Sequence, residues 1–500
     1  MAAKKRQNFL NKFLNNQKEY PILAAVAAGL YPIFFYFTNN FTLVNSWGHI
    51  GYFITFFLCI PVLIFLLSQK VSRFSYFIPY RKYILPFLNV FTFLFLMGVC
   101  HYAGIEKKMS LAFIPIALLF SFFLFRHLKR LIVFQFILAI VGIGTLIFAI
   151  IKQPYHSQEW MLQLDDIEQV VFKSTPNVYF IEPDGYPNFS ELDKGYYNLD
   201  TSDMSLFLKN NGFKNYPSFR SNYASTLSSN SSVFMMKHHY YNNGGNMGEA
   251  LHARHSIITK NPVLDIFKNN GYETHLIVEM PYLLLNKPKL GFDHSNIALR
   301  EVPYIGSGFE QKRDVFLGLK NVLAVDTEKP RFFFIEFFNP GHIKNRKSES
   351  KGMEGERDAW IESLEKSNEK LKQLVDAIKK NDPNGLIIIT ADHGGYVGLD
   401  YAVEIYKKTS DRDRISSIFS SILSIHWPNQ DAPNFDGKFK SSVNIFRLLF
   451  SYLSEDMHYL KNLQDDGSYI LLLKGAPKGV YKYIKDDGSA TFDNISLHKL

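Results

Sequence analysis

The sequence predicts an N-terminal bundle of five transmembrane helices followed by an α/β domain with a largely parallel central sheet. The first part of the chain is dominated by long apolar stretches, whereas the rest has the polar composition of an ordinary globular domain. In that second part, short apolar runs typical of buried strands alternate with amphipathic helical patterns. We therefore divide the chain into a transmembrane domain (1–152), an interfacial linker (153–175) and a C-terminal domain (176–500).

Each apolar stretch is long enough to cross the hydrocarbon core of a bilayer, which is ~30 Å thick. The five stretches cover residues 21–37, 50–67, 83–100, 109–125 and 131–151. The first is not expected to be a cleaved signal peptide, because four more follow without a small-residue cleavage pattern. They carry essentially no charge, so a pore or transport function is not favoured.

Basic residues flank alternate connections between these spans, and the connection around 45–49 has none. They are Lys4, Lys5, Arg6, Lys12, Lys18, Lys70, Arg73, Arg81, Lys82, Arg126, Lys129 and Arg130, with Lys107 and Lys108 as a minor exception. The positive-inside rule therefore predicts a multi-pass protein with its N-terminus in the cytoplasm and the chain after Lys152 outside. This topology accounts for the net charge of +9 without a nucleic-acid partner.

The linker carries Trp160, Ile167 and Phe172 among acids and amides, a spacing that predicts an amphipathic helix lying at the membrane surface. Both cysteines, Cys59 and Cys100, lie in the apolar spans. The C-terminal domain therefore has neither a disulfide framework nor a thiol nucleophile.

Carboxylates and histidines follow several predicted strands of the C-terminal domain. The runs 177–181, 331–338 and 385–390 lead to Asp184, to His342 and to the pair Asp392-His393, respectively. A further strand at 273–279 and a long helix at 356–380 complete the alternation. Ligands in open α/β sheets collect at the carboxyl ends of strands, and an Asp-His pair there suits a divalent cation. A polar turn without any ligand is the alternative.

Between the first two of these strand ends lies a Ser/Thr-rich stretch, 221–229. With this stretch included, the C-terminal domain resembles the alkaline phosphatase and sulfatase superfamily. The five preceding spans match its membrane-bound branch, the lipoteichoic acid synthases and lipid A phosphoethanolamine transferases of bacterial envelopes. The resemblance implies metal ligands at Asp184, Asp392 and His393, although the branch usually has Glu at the first of these positions.

The same resemblance places the nucleophile, which also binds the metal, at Thr226. Ser225, Ser228 and Ser229 are near enough to be alternatives, and a plain polar loop is another. Three oxygen ligands and one imidazole suit a single Zn²⁺ or Mn²⁺ ion, which would lower the pKa of the attacking hydroxyl. His342 is expected outside the metal shell, where it would contact the phosphoryl group or protonate the leaving alkoxide. A structural histidine is the alternative.

Two sequence motifs of related enzymes are missing, and each absence argues against one type of reaction. The Cys/Ser-x-Pro/Ala-x-Arg motif of formylglycine sulfatases is not present, and the nearest stretch, 215–220, lacks both the residue and its spacing. The Asp-x-x-x-His pair of two-metal phosphodiesterases is also missing, because Phe338 stands four residues before His342. His238 and His239 could add a second cation, but beside two tyrosines they are more typical of packing residues.

We therefore expect a monomeric, membrane-anchored phosphotransferase of the bacterial cytoplasmic membrane with an extracytoplasmic catalytic domain. Its partners would be a phospholipid donor of phosphoglycerol or phosphoethanolamine and a hydroxyl acceptor on an envelope glycan or glycolipid. A phosphodiesterase, phosphatase or sulfatase-like hydrolase of the same fold is one alternative. A catalytically silent envelope sensor or assembly protein is the other.

Overall fold

The structure is a computed structural model that describes residues 10–44, 46–152, 157–243 and 250–495. Its contacts divide the chain into two compact units. Unit 1 comprises Met1–Tyr155, Leu285–Lys287 and Pro303–Ser307, and unit 2 comprises His156–Leu284, Pro288–Val302 and Gly308–Leu500. The basic residues Lys4, Lys5 and Arg6 lie outside the described part.

In the described part of unit 1, five helical stretches are long and apolar enough to cross a membrane, which confirms the predicted number and order. They are α1 (Pro21–Asn39), α2 (Trp47–Phe53) continued by a π-helical turn (Ile54–Cys59) into α3 (Ile60–Val71), α4 (Arg81–His101), α5 (Lys107–Leu124) and α6 (Leu128–Lys152). The buried amides of Asn89 and Gln135 exchange hydrogen bonds of 2.9 and 3.1 Å. Such a pair holds α4 against α6, because an unsatisfied amide is unfavourable in hydrocarbon.

The predicted amphipathic helix of the linker is wrong for its described residues, 157–175, while 153–156 lie outside the described part. Only two 3₁₀ turns form there, at Glu159–Met161 and Asp166–Gln169. The apolar spacing serves another purpose, because Trp160, Ile167 and Phe172 are buried within unit 2.

Packing and one ion pair hold this segment to the rest of unit 2. The Phe172 ring lies 6.0 Å from that of Phe267 and 5.5 Å from that of Phe450. Arg447 donates from Nη1 to Asp165 Oδ2 at 2.5 Å and from Nη2 to Asp165 Oδ1 at 3.2 Å, and Arg447 is buried while Asp165 is partly buried. A bidentate pair of this kind fixes the segment in one position.

A seven-stranded sheet in the order β2-β7-β6-β1-β5-β3-β4 forms the centre of unit 2. The strands are β1 (Val178–Pro183), β2 (Phe213–Asn215), β3 (Glu273–Val278), β4 (His294–Ser295), β5 (Arg331–Phe337), β6 (Leu386–Thr390) and β7 (Leu423–His426). Strand β7 is antiparallel to β6 and to β2, and all other pairs in this sheet are parallel. The predicted, largely parallel sheet is therefore confirmed. Every residue of β1 and β6 is buried, as expected for strands covered on both faces.

Helices connect and cover these strands. They are α7 (Phe189–Leu192), α8 (Ser202–Asn210), α9 (Thr226–Met235), α10 (Ala253–Ile258), α11 (Pro262–Asn269), α12 (Val315–Leu323), α13 (Gly352–Asn381), α14 (Arg412–Phe419) and α15 (Ile445–Ser454). A second, antiparallel sheet that the sequence did not predict contains β8 (Ser468–Leu472), β9 (Gly479–Ile484) and β10 (Ala490–Asn494).

Because β6, β1 and β5 are adjacent and parallel, the loops that follow them meet at one edge of the sheet. Gly185 and Gly341 both have positive φ angles, of 65° and 71°. A Cβ atom on Gly185 would lie 2.4 Å from the carbonyl oxygen of Gly341, so only glycine allows the loops after β1 and β5 to approach this closely. Trp360 of α13 donates from Nε1 to the same carbonyl at 2.8 Å, which anchors the edge to the longest helix.

Candidate active site

Three metal-ligand side chains converge at this edge of the sheet. Asp184 follows β1 and the pair Asp392-His393 follows β6, and one ligand atom from each lies within 4.8 Å of the others. His393 Nε2 is 3.3 Å from Asp184 Oδ1 and 3.3 Å from Asp392 Oδ2. All three residues are buried, so the structure brings together the three ligands that the resemblance implied.

Hydrogen bonds from the surrounding backbone orient two of these side chains. Asp392 Oδ1 accepts from the N–H groups of Gly185 at 3.1 Å and of His393 at 2.9 Å, which turns Oδ2 toward the cluster. His393 Nδ1 lies 2.8 Å from the carbonyl oxygen of Gly394. Since a carbonyl can only accept, Nδ1 carries the proton and Nε2 presents its lone pair to the two carboxylates.

The donor set fits a divalent cation. Asp184 Oδ1 and Asp392 Oδ2 are buried and, within the described part of the chain, have no hydrogen-bond partner. Burial, and next to it the charge of Asp392, raise the pKa of Asp184 well above its usual range. Two buried carboxylates that face each other are unfavourable unless a proton or a cation lies between them. Two carboxylates and one imidazole could hold such an ion, and this set does not separate Zn²⁺ from Mn²⁺.

Thr226 is the first residue of α9 and lines a cavity of about 650 Å³ together with Asp184 and His342. The first N–H groups of an α-helix have no intrahelical partner, and the helix dipole is positive at this end. A hydroxyl at this position can therefore present a bound phosphoryl group to backbone donors.

The structure separates Thr226 from most of its alternatives. Ser228 and Ser229 are fully buried, and Ser229 Oγ donates to the carbonyl oxygen of Tyr223 at 2.9 Å. Ser228 Oγ accepts from Ser225 Oγ at 3.0 Å. Of the three serines, only Ser225 lines the same cavity as Thr226.

His342 lies in the cavity wall, outside the three-residue cluster. Its Nδ1 is 2.7 Å from the carbonyl oxygen of Ile343 and therefore carries the proton of a neutral ring. Burial and the neighbouring His393 lower the pKa of His342 to about 4. The ring is thus neutral near pH 7, and its Nε2 can accept a proton.

Sequence reasoning missed Tyr396. Its ring stacks on those of both His342 and His393, with centroid distances of 5.0 Å to each, and the two histidine rings are 5.8 Å apart. Its hydroxyl donates to the carbonyl oxygen of Ala224, two residues before Thr226. Tyr396 thus links the loops after β5 and β6 to the start of α9, and its position just after the Asp392-His393 pair was the available signal.

Two acidic residues of the sheet itself were also not predicted as part of the site. Glu182 of β1 and Glu336 of β5 are register partners and are buried. Burial, and next the charge of Asp392, raise the pKa of both groups. Asn230 of α9 donates to Glu182 Oε1 at 2.6 Å, which connects α9 to the sheet.

His238 and His239 belong to neither candidate metal cluster of the described residues. His238 Nε2 lies 2.9 Å from the carbonyl oxygen of Asp465, and His239 Nε2 lies 2.9 Å from that of Ser228. Both rings are buried and stack on tyrosines, as packing residues do.

Residues 193–417 match the family model named Sulfatase, which confirms the resemblance to the sulfatase and alkaline phosphatase superfamily. The matched segment contains Thr226, His342 and the Asp392-His393 pair, whereas Asp184 precedes it. No curated protein matches the chain by sequence.

The chain is also similar to solved structures from several bacteria, three of which follow. The periplasmic domain of EcEptC from Escherichia coli is 12% identical with a TM-score of 0.40, covering 63% of this chain and 96% of that one. The lipooligosaccharide phosphoethanolamine transferase A from Neisseria meningitidis, an integral membrane protein, is 14% identical with a TM-score of 0.41, covering 88% and 96%. A Bacteroides thetaiotaomicron protein of glycosaminoglycan metabolism is 13% identical with a TM-score of 0.40, covering 64% and 89%. At such values no residue role is transferred from them.

Proposed function

We propose that the protein is a membrane-anchored, metal-dependent transferase. It would move phosphoglycerol or phosphoethanolamine from a phospholipid to a hydroxyl of an envelope glycan or glycolipid, through a phosphothreonine at Thr226. The observation that carries this proposal is one cavity shared by a helix-terminal hydroxyl, a carboxylate of a three-ligand cation cluster and a neutral imidazole. The segment that matches the sulfatase family model supports the assignment to this superfamily. The five candidate membrane helices support access to a lipid substrate.

In the first step, Thr226 Oγ1 attacks phosphorus, and its proton passes to His342 Nε2. The bond between phosphorus and the oxygen of the diacylglycerol part of the lipid breaks, and that oxygen takes the proton from His342. The products of this half-reaction are diacylglycerol and a phosphothreonine whose phosphate still carries the glycerol or ethanolamine head group. A divalent cation held by Asp184, Asp392 and His393 would favour this step by lowering the pKa of the Thr226 hydroxyl and offsetting phosphoryl charge.

In the second step, the acceptor hydroxyl attacks the phosphothreonine and gives its proton to His342. The bond between phosphorus and Thr226 breaks, and the threonine oxygen regains a proton from His342. The N–H groups at the start of α9 would stabilise the phosphoryl oxygens in both steps, because they are oriented before the substrate binds.

Aromatic side chains in the wall of this cavity favour a donor that has an apolar part. Tyr282, Phe309 and Phe338 form a cluster there, with ring centroids 5.2 to 5.9 Å apart. The described residues that line the cavity include neither Lys nor Arg. A neutral glycerol or an ethanolammonium group is compatible with such a wall.

A hydrolase of the same fold differs only in that water resolves the phosphothreonine. A catalytically silent sensor would not need an arrangement that can bind a metal ion. The orientation of His393 Nε2 toward two carboxylate oxygens without hydrogen-bond partners therefore argues against that alternative. For the topology, we propose a cytoplasmic N-terminus and an external unit 2. Reporter fusions after Lys70 and after Lys152 should report cytoplasm and exterior, respectively, and the reverse result would reject an envelope acceptor.

The decisive experiment traps the covalent intermediate. The purified protein is exposed briefly to phosphatidylglycerol or phosphatidylethanolamine labelled in the head group, without acceptor, and is then quenched in acid. Peptide mapping should find the label on the peptide that contains Thr226. Label on Ser225 would move the nucleophile by one residue. Turnover with no labelled peptide would mean direct transfer and would reject the mechanism.

The ratio of products then separates the two enzymatic alternatives. With an added glycan or glycolipid acceptor, a transferase should pass the label to that acceptor. A hydrolase should release it as glycerol phosphate or ethanolamine phosphate at the same rate with or without acceptor.

A further inference from the structure

A second group of metal-ligand side chains lies at the opposite, amino ends of the strands. It consists of Glu273, the first residue of β3, His275, and His294, the first residue of β4, and it is called here the amino-end triad. One ligand atom from each residue lies within 4.8 Å of the others. Glu273 Oε1 is 2.9 Å from His294 Nε2, and Glu273 Oε2 is 3.3 Å from His275 Nε2.

The strand register brings these residues together. Side chains alternate along a strand, so Glu273 and His275 lie on the same face of β3. His294 is the register partner of His275 in the parallel β3–β4 pair, and the two imidazoles stack with centroids 4.8 Å apart and planes 19° from parallel. On its other side, the His275 ring stacks on Phe333 at 5.0 Å. Both imidazoles are thereby held with their Nε2 edges toward one carboxylate.

The polar contacts of the triad leave its ligand atoms facing one another. Each imidazole approaches one oxygen of the Glu273 carboxylate through Nε2. In the described part of the chain, Nδ1 of His275 is buried without a hydrogen-bond partner. One nitrogen of each ring and a carboxylate oxygen therefore converge on a point that a cation could occupy.

Arg331 is the register partner of Glu273 on β5. Its Nη1 donates to the carbonyl oxygens of Val322 at 2.9 Å and of Val325 at 3.2 Å. The guanidinium is thus held by backbone carbonyls and forms no ion pair with Glu273 among the described contacts.

We propose that Glu273, His275 and His294 form a divalent transition-metal site, with Zn²⁺ as the ion its donor set fits best. Two imidazoles and one carboxylate, with a water as the fourth ligand, are an established zinc set. Two ligands on a tetrahedral ion with bonds of ~2.0–2.1 Å are roughly 3.3 Å apart, which is the separation of His275 Nε2 from Glu273 Oε2. A cavity of about 310 Å³ borders both histidines and leaves room for the water.

The different exposure of the two histidines determines how an ion reaches this site and what it does there. The His294 side chain is 54% exposed, which provides an entry path, whereas that of His275 is 6% exposed and fixes the ion to the sheet. An ion here would join the two-residue edge strand β4 to β3. The role is therefore structural, and it does not depend on the proposed transferase activity.

Zinc stoichiometry in the full-length protein tests the proposal. The protein is stripped with a chelator, and Zn²⁺ binding is measured by equilibrium dialysis at micromolar free zinc. The wild type should bind two equivalents. His294→Phe, which keeps a ring on His275 but removes the ligating nitrogen, should bind one, and so should Glu273→Gln. His458→Phe, at an exposed histidine of a 3₁₀ turn, is the matched control and should bind two.

His393→Ala separates the two sites. It should lose one equivalent but keep the one that His294→Phe removes, and the double variant should bind none. Zinc binding to His294→Phe or Glu273→Gln that equals the wild type would overturn the amino-end site, as would a wild type whose single equivalent disappears in His393→Ala. Circular dichroism confirms that each variant is folded before its zinc is counted.

Discussion

The two carboxylate–histidine clusters of unit 2 lie at opposite ends of one sheet and differ in how they are held. At the carboxyl ends, Asp184, Asp392 and His393 are all buried, and backbone groups orient the last two. In the amino-end triad, Glu273 is half-buried and His294 is exposed. Similar ligands thus form a buried cluster in one place and a partly exposed one in the other.

The surroundings of the two clusters explain why we assign chemistry to only one of them. Thr226 and His342 share a cavity with Asp184, and Thr226 adds the N-terminus of a ten-residue helix. Loops that follow parallel strands can carry such groups to a common point, whereas the amino-end triad is built mostly on the strands themselves. A ligand set therefore becomes a candidate catalytic site through what the adjoining loops bring to it.

The largest expected effect concerns the hydroxyl that only the carboxyl-end cluster has beside it. Thr226→Ala should lower turnover by ~10³-fold or more, because covalent catalysis is lost, while the one zinc equivalent of the amino-end triad remains. Thr226→Ser should keep part of the activity, since its hydroxyl can still attack. Ser225→Ala, in the same cavity wall, is the matched control and should stay near wild type. Comparable losses in Ser225→Ala and Thr226→Ala would assign the effect to cavity shape.

His342→Gln should lower turnover by about 10²-fold or more, because a general base and acid is removed. The metal content should not change, since His342 lies outside the cluster. Steady-state rates and elemental analysis on the same sample measure both quantities. Loss of metal together with activity would make His342 a ligand and would enlarge the carboxyl-end cluster.

Zinc should stabilise the protein through both clusters independently. At a free concentration of ~1,000 times Kd, a site that only the folded state offers contributes about 4.1 kcal/mol. Thermal unfolding of His393→Ala should therefore still shift upward with Zn²⁺, through the triad alone, and that shift should vanish when His294→Phe is added. A zinc-independent melting temperature in His393→Ala would mean that the open cluster holds no ion.

The smallest expected effect concerns Asp165, a carboxylate that pairs with Arg447 and has no imidazole beside it. This pair contributes to the stability of the fold and not to metal binding. Burial raises the pKa of Asp165, but the bonds from Arg447 and Asn462 outweigh it, so the pKa is lowered. The pair therefore stabilises the protein above about pH 4, and this contribution disappears as acid protonates Asp165.

Asp165→Asn tests that contribution. It should cost about 1.5–3 kcal/mol of unfolding free energy at pH 7, and less below pH 4. Denaturant unfolding of chelated protein at several pH values measures the difference. A difference that stays constant across this range would place the effect in packing.

Much of the carboxyl-end cluster was predictable from the sequence, because its residues directly follow short apolar runs that predict strands. Apolar β-branched runs predict buried strands, and parallel strands present the residues after their carboxyl ends at one edge. Asp184, His342 and Asp392-His393 follow directly from that rule. The metal identity, the head group and the acceptor do not follow from it.

The tertiary structure decided what depends on contacts between distant residues. Thr226 is distinguished from Ser228 and Ser229 only by which hydroxyls face the cavity. The apolar spacing around Phe172 predicted a membrane-surface helix but serves packing within unit 2, because periodicity does not identify the apolar partner. His294 joins Glu273 and His275 through a two-residue strand, which is too short to leave a periodic signal, so only the folded sheet could set that register.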